Sequence, residues 1–297
     1  MEDLQELIKK KHEQMLYTTV RVVGEKGVGS GTVIYSKPVP NEEDGGNGIP
    51  YETYVLTNHH VVQANIKLEK KWSTLLKREV KMDILSECTV EQFLFEYGSW
   101  EAGHTGYKAD IMAYDVDMDI ALLRIKSTRK FEYVAKLFPR GEHKKRLRMF
   151  QPLYAIGCAL GRPPIVTHGH LSGFNDVIEN YPYWVSTAPT IFGNSGGAVF
   201  LSDTMEYVGI PSRIGVTIVG MSPNAITHLS YFIPIISIYK FLEEQMFNFV
   251  YDSSTNSDEW AKQRKAKRDR DERTMAVDMS RTEPDKVAEK EEPGYVG

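Results

Sequence analysis

Residues 193–201 read GNSGGAVFL, a serine between glycines followed directly by a short apolar run. The apolar run is typical of a buried β-strand. The glycines allow a tight backbone turn in which the amides of Gly193 and Ser195 converge on one point. This layout suits a serine nucleophile beside a group of oxyanion-binding N–H donors. Glycine, asparagine and serine are also common in ordinary loops, so the stretch needs support from elsewhere in the chain.

Two earlier motifs supply that support, because they carry the partners that a serine nucleophile needs. Residues 57–61 read TNHHV, and residues 119–123 read DIALL. A serine hydroxyl is a weak nucleophile until an imidazole takes its proton. The imidazole in turn needs a carboxylate that holds its tautomer and stabilises its charged form. The sequence therefore predicts a histidine, an aspartate and a serine that act together.

Taken in order, these motifs resemble those of trypsin/chymotrypsin-like serine peptidases, and most closely those of the HtrA (DegP-like) branch. The resemblance extends to GSG at 29–31, IGCALGRP at 156–163 and VTHGHLSG at 166–173. It implies a catalytic triad of His60, Asp119 and Ser195, with the amides of Gly193 and Ser195 as the oxyanion hole. His60 is chosen because it directly precedes the valine of the motif. The charged segment after residue 252 does not fit the PDZ domain of that branch, so none is expected.

Short β-branched segments separated by glycines recur along most of the chain, which favours an all-β fold. The resemblance implies two six-stranded antiparallel β-barrels (chymotrypsin-like), with helices at the N- and C-terminal ends. The pattern at 66–82 leaves a short helix and a hairpin open. The expected organisation is an amphipathic helix at 1–16, a peptidase domain at 17–250 and a charged helical or disordered tail at 253–297. Within the peptidase domain, the two barrels are expected at about 17–130 and 150–235, followed by a terminal helix at 235–250.

Expectations about substrate binding also follow from the resemblance. An extended peptide or unfolded protein would pair with the strand at 207–214. In this register Ser212 stands beside Asp119, and the cleft is lined by Ser212, Arg213 and Ile214. A rival register uses 214–216. The residues before the serine carry no charge, which disfavours Lys or Arg side chains and favours a small apolar one. Thr190 and His228 form an alternative pocket for Glu or Gln.

Composition sets limits on the classes of function. The 297 residues include 36 Lys plus Arg against 40 Asp plus Glu, a net charge of −4, so no nucleic-acid partner is expected. The sequence shows no signal segment, no apolar run long enough to span a bilayer and only two cysteines, which predicts a cytoplasmic protein, with a viral or phage origin left open. Neither a cofactor nor a metal is expected, because the pair His168 and His170 has no third ligand in view.

Two other classes of function remain open from the sequence. Phe192 directly precedes Gly193 and leaves the conformation of the oxyanion loop undecided, so the chain is alternatively a peptide-binding or scaffold module with low or partner-triggered activity. The N-terminal helix is a candidate contact for a homo-oligomer, and the charged tail is a candidate partner-binding segment.

Overall fold

A computed structural model describes residues 2–39, 49–73, 78–219, 222–254, 256–267 and 270. The predicted tail at 253–297 therefore lies mostly outside the described residues; within it, residues 257–267 are helical. None of the described helices combines the length and the apolar composition that crossing a bilayer requires.

The described residues form fourteen strands and, up to residue 244, four α-helices. The strands are β1 (Thr19–Val23), β2 (Val28–Pro38), β3 (Tyr51–Thr57), β4 (Ile66–Ser73), β5 (Arg78–Leu85), β6 (Cys88–Glu96), β7 (Trp100–Asp115), β8 (Ile120–Ser127), β9 (Pro152–Gly157), β10 (Ile165–Ile178), β11 (Tyr181–Ser186), β12 (Ala198–Leu201), β13 (Tyr207–Val219) and β14 (Ser222–Pro234). The helices are α1 (Glu2–Gln14), α2 (His59–Val62), α3 (His143–Arg146) and α4 (Ile235–Glu244).

Twelve of these strands close into two antiparallel barrels. The first barrel has the order β1-β2-β3-β8-β7-β6, and the second has the order β10-β11-β14-β13-β12-β9. The predicted all-β class with two six-stranded barrels and terminal helices is confirmed. The remaining strands, β4 and β5, form a separate hairpin in which Ile66 lies opposite Leu85, which decides between the two readings of that segment.

Alternating burial explains why these segments are strands. In β1, Val20 and Val22 are fully buried while Arg21 between them points to the other side of the sheet. Small β-branched residues fill the first barrel, whereas the largest buried side chains of the second are aromatic, among them Trp184 and Phe232. The apolar residues Leu4, Leu7 and Ile8 of α1 are exposed, and Met15, directly after the end of the helix, is buried.

The loops that carry the sequence motifs all meet where the two barrels face each other. The histidine motif follows β3, and the aspartate motif begins at the turn between β7 and β8. The serine motif lies between β11 and β12 of the second barrel.

Candidate active site

His60 and Asp119 form a close pair at the edge of the first barrel. The Nδ1 atom of His60 is 2.8 Å from Oδ2 and 3.0 Å from Oδ1 of Asp119, and the backbone N–H of His60 donates to Oδ1 at 3.0 Å. An ionised carboxylate only accepts hydrogen bonds, so the ring proton lies on Nδ1. Within the described part of the chain, Nε2 of His60 has no hydrogen-bond partner, and it is free to accept a proton.

Asp119 is held in place by residues from both barrels. Its backbone φ of 56° lies in the left-handed region, which aspartate tolerates better than most residues, and Asn58 Nδ2 donates to its carbonyl oxygen at 2.7 Å. Ser212 Oγ donates to its Oδ2 at 2.7 Å. Burial alone would raise the pKa of Asp119, but the hydrogen bonds from His60 and Ser212 outweigh burial and hold that pKa below its ordinary value. The carboxylate is therefore ionised beside the imidazole.

The serine motif forms a sharp turn whose conformation requires glycine. Gly196 has a φ of +85°, and a Cβ atom there would lie 2.2 Å from the carbonyl oxygen of Ser30. Its N–H donates to the carbonyl of Pro211 at 3.1 Å, which ties the turn to β13. This turn brings Ser195 to the same cavity as His60.

The amides of Gly193 and Ser195 are the candidate oxyanion donors of the site. Leu160 N–H donates to the carbonyl oxygen of Phe192 at 2.7 Å. Because the C=O and N–H of a trans peptide point in opposite directions, the N–H of Gly193 points away from Leu160. Among the described residues, no protein acceptor bonds either the Gly193 or the Ser195 amide. Two free donors flanking a serine are the arrangement that stabilises an oxyanion.

Ser30 supports this loop from the first barrel, although the sequence analysis assigned it no role. Its Oγ donates to the carbonyl oxygen of Gly193 at 2.6 Å and accepts from Cys158 N–H at 2.7 Å. Its own N–H donates to the carbonyl oxygen of Ser195 at 2.8 Å. The GSG motif at 29–31 was the available signal. Ser30 thus fixes the peptide groups that directly follow Gly193 and Ser195, the two residues with the candidate oxyanion donors.

The histidine and the serine line one cavity of about 250 Å³ between the barrels. No carboxylate is among the described residues that line it. The lining residues are His60, Thr190, Ile191, Phe192, Asn194, Ser195, Pro211, Ser212, Arg213 and Ile214.

Three of the predicted substrate-binding residues lie on β13, where an edge is open. β13 pairs with β12 only at Tyr207 and Gly209, so beyond Pro211 this edge has no strand partner among the described residues. Ser212 bonds Asp119, as expected. The side chain of Arg213 is held by an ion pair at the cavity lining, because its Nη2 donates to Glu179 Oε2 at 2.5 Å.

Thr190 and His228 lie on neighbouring segments, since the N–H of Thr190 donates to the carbonyl oxygen of Thr227 at 3.1 Å. Thr190 is buried at the cavity, and its hydroxyl donates to Ser230 Oγ at 2.7 Å. The pairing of β13 with β14 shifts between Ile214 and Gly215, which leaves His228 in an exposed bulge outside the cavity lining.

Other candidate groups do not compete with this site. Burial raises the pKa of the Cys158 thiol to about 12, so it stays protonated and is a poor nucleophile. The ring centroids of His168 and His170 are 5.7 Å apart, but among the described residues no third His, Cys, Asp or Glu joins them to form a metal cluster.

Comparisons with known proteins agree with this fold. The profile of the trypsin-like peptidase domain matches residues 29–210. No curated protein sequence matches the chain. Among solved structures, the HtrA-type protease AlgW with a tripeptide is 17% identical with a TM-score of 0.55, covering 83% of this chain and 64% of that one. The serine endoprotease from Yersinia pestis is 18% identical with a TM-score of 0.51, covering 80% and 66%. The chain thus spans slightly less than two thirds of each, and the resemblance to the HtrA branch is confirmed in fold.

Proposed function

Because the chain belongs to the family of trypsin-like peptidase domains, we propose that it is a serine endopeptidase that uses His60, Asp119 and Ser195 as its catalytic triad. The observation that carries the proposal is the joint geometry of the site. The His60 ring is bonded to an ionised Asp119 through Nδ1, and His60 and Ser195 line the same cavity. The unpaired amides of Gly193 and Ser195 complete the set of groups that acyl transfer requires.

In this mechanism Ser195 Oγ attacks the scissile carbonyl while His60 Nε2 takes its proton. The carbonyl oxygen becomes an oxyanion that the Gly193 and Ser195 amides bind. His60 then gives the proton to the leaving amine, which departs and leaves an acyl-enzyme. Water, activated by the same imidazole, hydrolyses the ester and regenerates Ser195. Asp119 orients the imidazole and stabilises its charged form throughout.

The substrate is proposed to be an extended peptide or an unfolded segment of a protein. The open edge of β13 at Ser212–Val216 offers main-chain groups to which such a segment adds as a strand. The cavity is small, and its lining lacks a carboxylate that would bind Lys or Arg. A small uncharged side chain is therefore the preferred residue before the scissile bond.

The test is labelling with a fluorophosphonate, which reacts with an activated serine without requiring a known substrate. Wild type is expected to be labelled, while Ser195→Ala and His60→Ala lose labelling. His59→Ala is the matched control, because it removes the neighbouring imidazole, which stacks on Tyr114 instead of bonding Asp119. Folded wild-type protein that stays unlabelled but binds peptides would contradict the proposal and favour the binding-module alternative.

A further inference from the structure

Arg21 of β1 connects the first barrel to the turn at 158–161, which joins β9 to β10 of the second. It lies between two valines whose side chains fill the first barrel, so its own side chain is on the outer face. Strand pairing places Glu91 of β6 on one side of Arg21 and Ser30 of β2 on the other. Side chains directly opposite one another share a face of the sheet, so these three form one row. Ser30 bonds the nucleophile loop, and Arg21 is its neighbour.

The guanidinium of Arg21 is held from several directions. Its Nε donates to Glu91 Oε2, and its Nη1 donates to the carbonyl oxygen of Gly161 at 2.5 Å. Its Cζ lies 5.3 Å from the centroid of the Phe93 ring. The side chains of Arg21 and Glu91 are only 18% and 16% exposed, and an ion pair withdrawn from water adds little net stability. The planar fork of arginine does fix directions, and here it fixes the direction of the Gly161 carbonyl.

The turn that Arg21 contacts has a backbone that needs such support. Leu160 has a φ of 55° and Gly161 has a φ of +70°, so two consecutive residues are left-handed. Leucine is uncommon in that region, and such conformations persist where surrounding contacts hold them. Within the turn, Gly161 N–H donates to the Cys158 carbonyl at 2.9 Å. The bond from Arg21 holds the same residue from outside the turn.

The turn in turn determines the direction of the Gly193 N–H. Leu160 N–H donates at 2.7 Å to the Phe192 carbonyl, which belongs to the same planar peptide group as the Gly193 N–H. A Cβ atom on Gly193 would lie 2.6 Å from both Cys158 O and Leu160 N, so the two backbones are in direct contact. A shift of the turn therefore shifts the peptide that carries the candidate donor. An oxyanion donor is effective only when it is aimed at the oxyanion.

We propose that Arg21, held by Glu91, is a positioning residue of the oxyanion hole. Its bond to the Gly161 carbonyl keeps the turn at 158–161 in the conformation that directs the Gly193 N–H toward the oxyanion. The inference rests on the proposed peptidase function and adds an ion pair to its machinery. Neither Arg21 nor Glu91 lines the cavity of the site. Since the oxyanion develops only in the transition state, the role of Arg21 affects kcat and leaves KM nearly unchanged.

The experiment measures kcat and KM of Arg21→Met on a peptide that wild type cleaves in a digest of a proteome-derived peptide library. Methionine keeps an unbranched apolar stem but donates no hydrogen bond. We expect kcat to fall by about 10- to 100-fold, less than the loss of a whole oxyanion donor, while KM changes by less than about twofold. The value of kcat is calculated per serine labelled by a fluorophosphonate at the end point, so unfolded protein does not contribute.

A conservative variant distinguishes the direction of the hydrogen bonds from the charge. Arg21→Lys keeps the positive charge, but a single ammonium lacks the rigid fork that joins Glu91 to the Gly161 carbonyl. We expect an intermediate fall in kcat of about three- to tenfold, again with little change in KM. A kcat equal to that of wild type in Arg21→Lys would show that the charge alone is sufficient and would overturn the positioning role.

Arg124→Met is the matched control. Arg124 Nη2 donates to Asp110 Oδ2 at 2.8 Å between β8 and β7, and its side chain is 25% exposed, so the variant removes a similar ion pair of the same barrel. It is expected to keep the wild-type kcat. Equal losses of kcat in the two methionine variants, a loss confined to KM, or an unchanged kcat in Arg21→Met would each overturn the role of Arg21 alone. Wild type that is neither labelled nor active would overturn the peptidase function, and the role of Arg21 with it.

Discussion

The two halves of the candidate site are built in different ways, and each is completed by a serine from the opposite barrel. In the first-barrel half, side-chain hydrogen bonds join His60 to Asp119, and Ser212 of the second barrel adds one more at 2.7 Å. In the second-barrel half, backbone conformation sets the loop, and Ser30 of the first barrel makes three hydrogen bonds to it and to Cys158. The geometry of the site therefore depends on how the two barrels dock. The second-barrel half, which carries Ser195, depends on this docking more than the first-barrel half does.

The largest expected effect comes from breaking the first half at its carboxylate. Asp119→Asn keeps the shape but lets the amide hydrogen-bond the wrong tautomer of His60, so kcat should fall by about 10⁴-fold. Hydrolysis of a peptide identified by library digestion measures the loss. Asp117→Asn is the control, because Asp117 is exposed two residues earlier in the same turn. A loss below tenfold in Asp119→Asn would remove Asp119 from the triad.

The next effect comes from breaking the second half at its backbone. Gly193 has a φ of +96°, and a Cβ atom there would lie 2.6 Å from both Cys158 O and Leu160 N. Gly193→Ala should displace one oxyanion donor and lower kcat by about 10²–10³-fold. Gly141→Ala is the control, since Gly141 has a φ of +79° with nothing within 4 Å of its Cβ position. Equal activity losses in both variants would mean that backbone strain, and not the oxyanion donor, is responsible.

Removing the Ser30 hydroxyl tests whether the first barrel shapes the second half. Ser30→Ala leaves the half-buried Gly193 carbonyl and the buried Cys158 amide without a partner, which should cost about 2 kcal/mol of unfolding free energy. Activity should fall by about tenfold, because the loop loses its fixed position. Urea unfolding and peptide hydrolysis measure the two effects. Ser36→Ala is the control on the same strand: its hydroxyl bonds Thr53 Oγ1 at 2.8 Å within the first barrel, so it should lose stability without losing activity.

The sequence predicts the three candidate catalytic side chains and not the residues that hold them. His60, Asp119 and Ser195 each lie in a short motif whose chemistry can be recognised locally. Ser30 bonds Gly193 across 163 residues of chain, and this contact exists only after both barrels have closed and docked. The exposed bulge at His228 has a similar cause, because a register shift between β13 and β14 has no signature in strand propensity.

The hairpin formed by β4 and β5 could not be distinguished from a short helix in the sequence, because it does not pack into a barrel. Lysines interrupt the alternation of apolar residues there, and Leu68 and Trp72 remain exposed in the structure. With neither face buried in a barrel, the hydrophobic pattern that distinguishes a strand from a helix is weak. The sequence therefore predicted best the segments that pack into a barrel.

Ser212→Ala is expected to have a smaller effect on activity than Ser30→Ala. It removes one of several hydrogen bonds to Asp119, and both His60 contacts remain. We expect a loss of about two- to fivefold in kcat, in line with one net hydrogen bond of about 0.5–1 kcal/mol. A loss as large as that of Ser30→Ala would contradict the view that the first half is held mainly by its own side chains.

The pH dependence of stability separates the two serines most sharply, although the effect is small. The hydrogen bonds to Asp119 lower its pKa in the folded protein. Its carboxylate therefore contributes stability that is fully present above about pH 4, the ordinary pKa of an aspartate. This contribution is lost as the pH falls through the lower pKa of the folded state. Ser212→Ala removes one cause of that lowering, so the variant should lose less stability than wild type between neutral and acidic pH. Ser30 contacts no titratable carboxylate, and Ser30→Ala should shift the whole stability curve downward without changing its slope in acid. Urea unfolding at a series of pH values measures both curves, and parallel curves for Ser212→Ala and wild type would show that the Ser212 hydroxyl does not favour the charged form of Asp119.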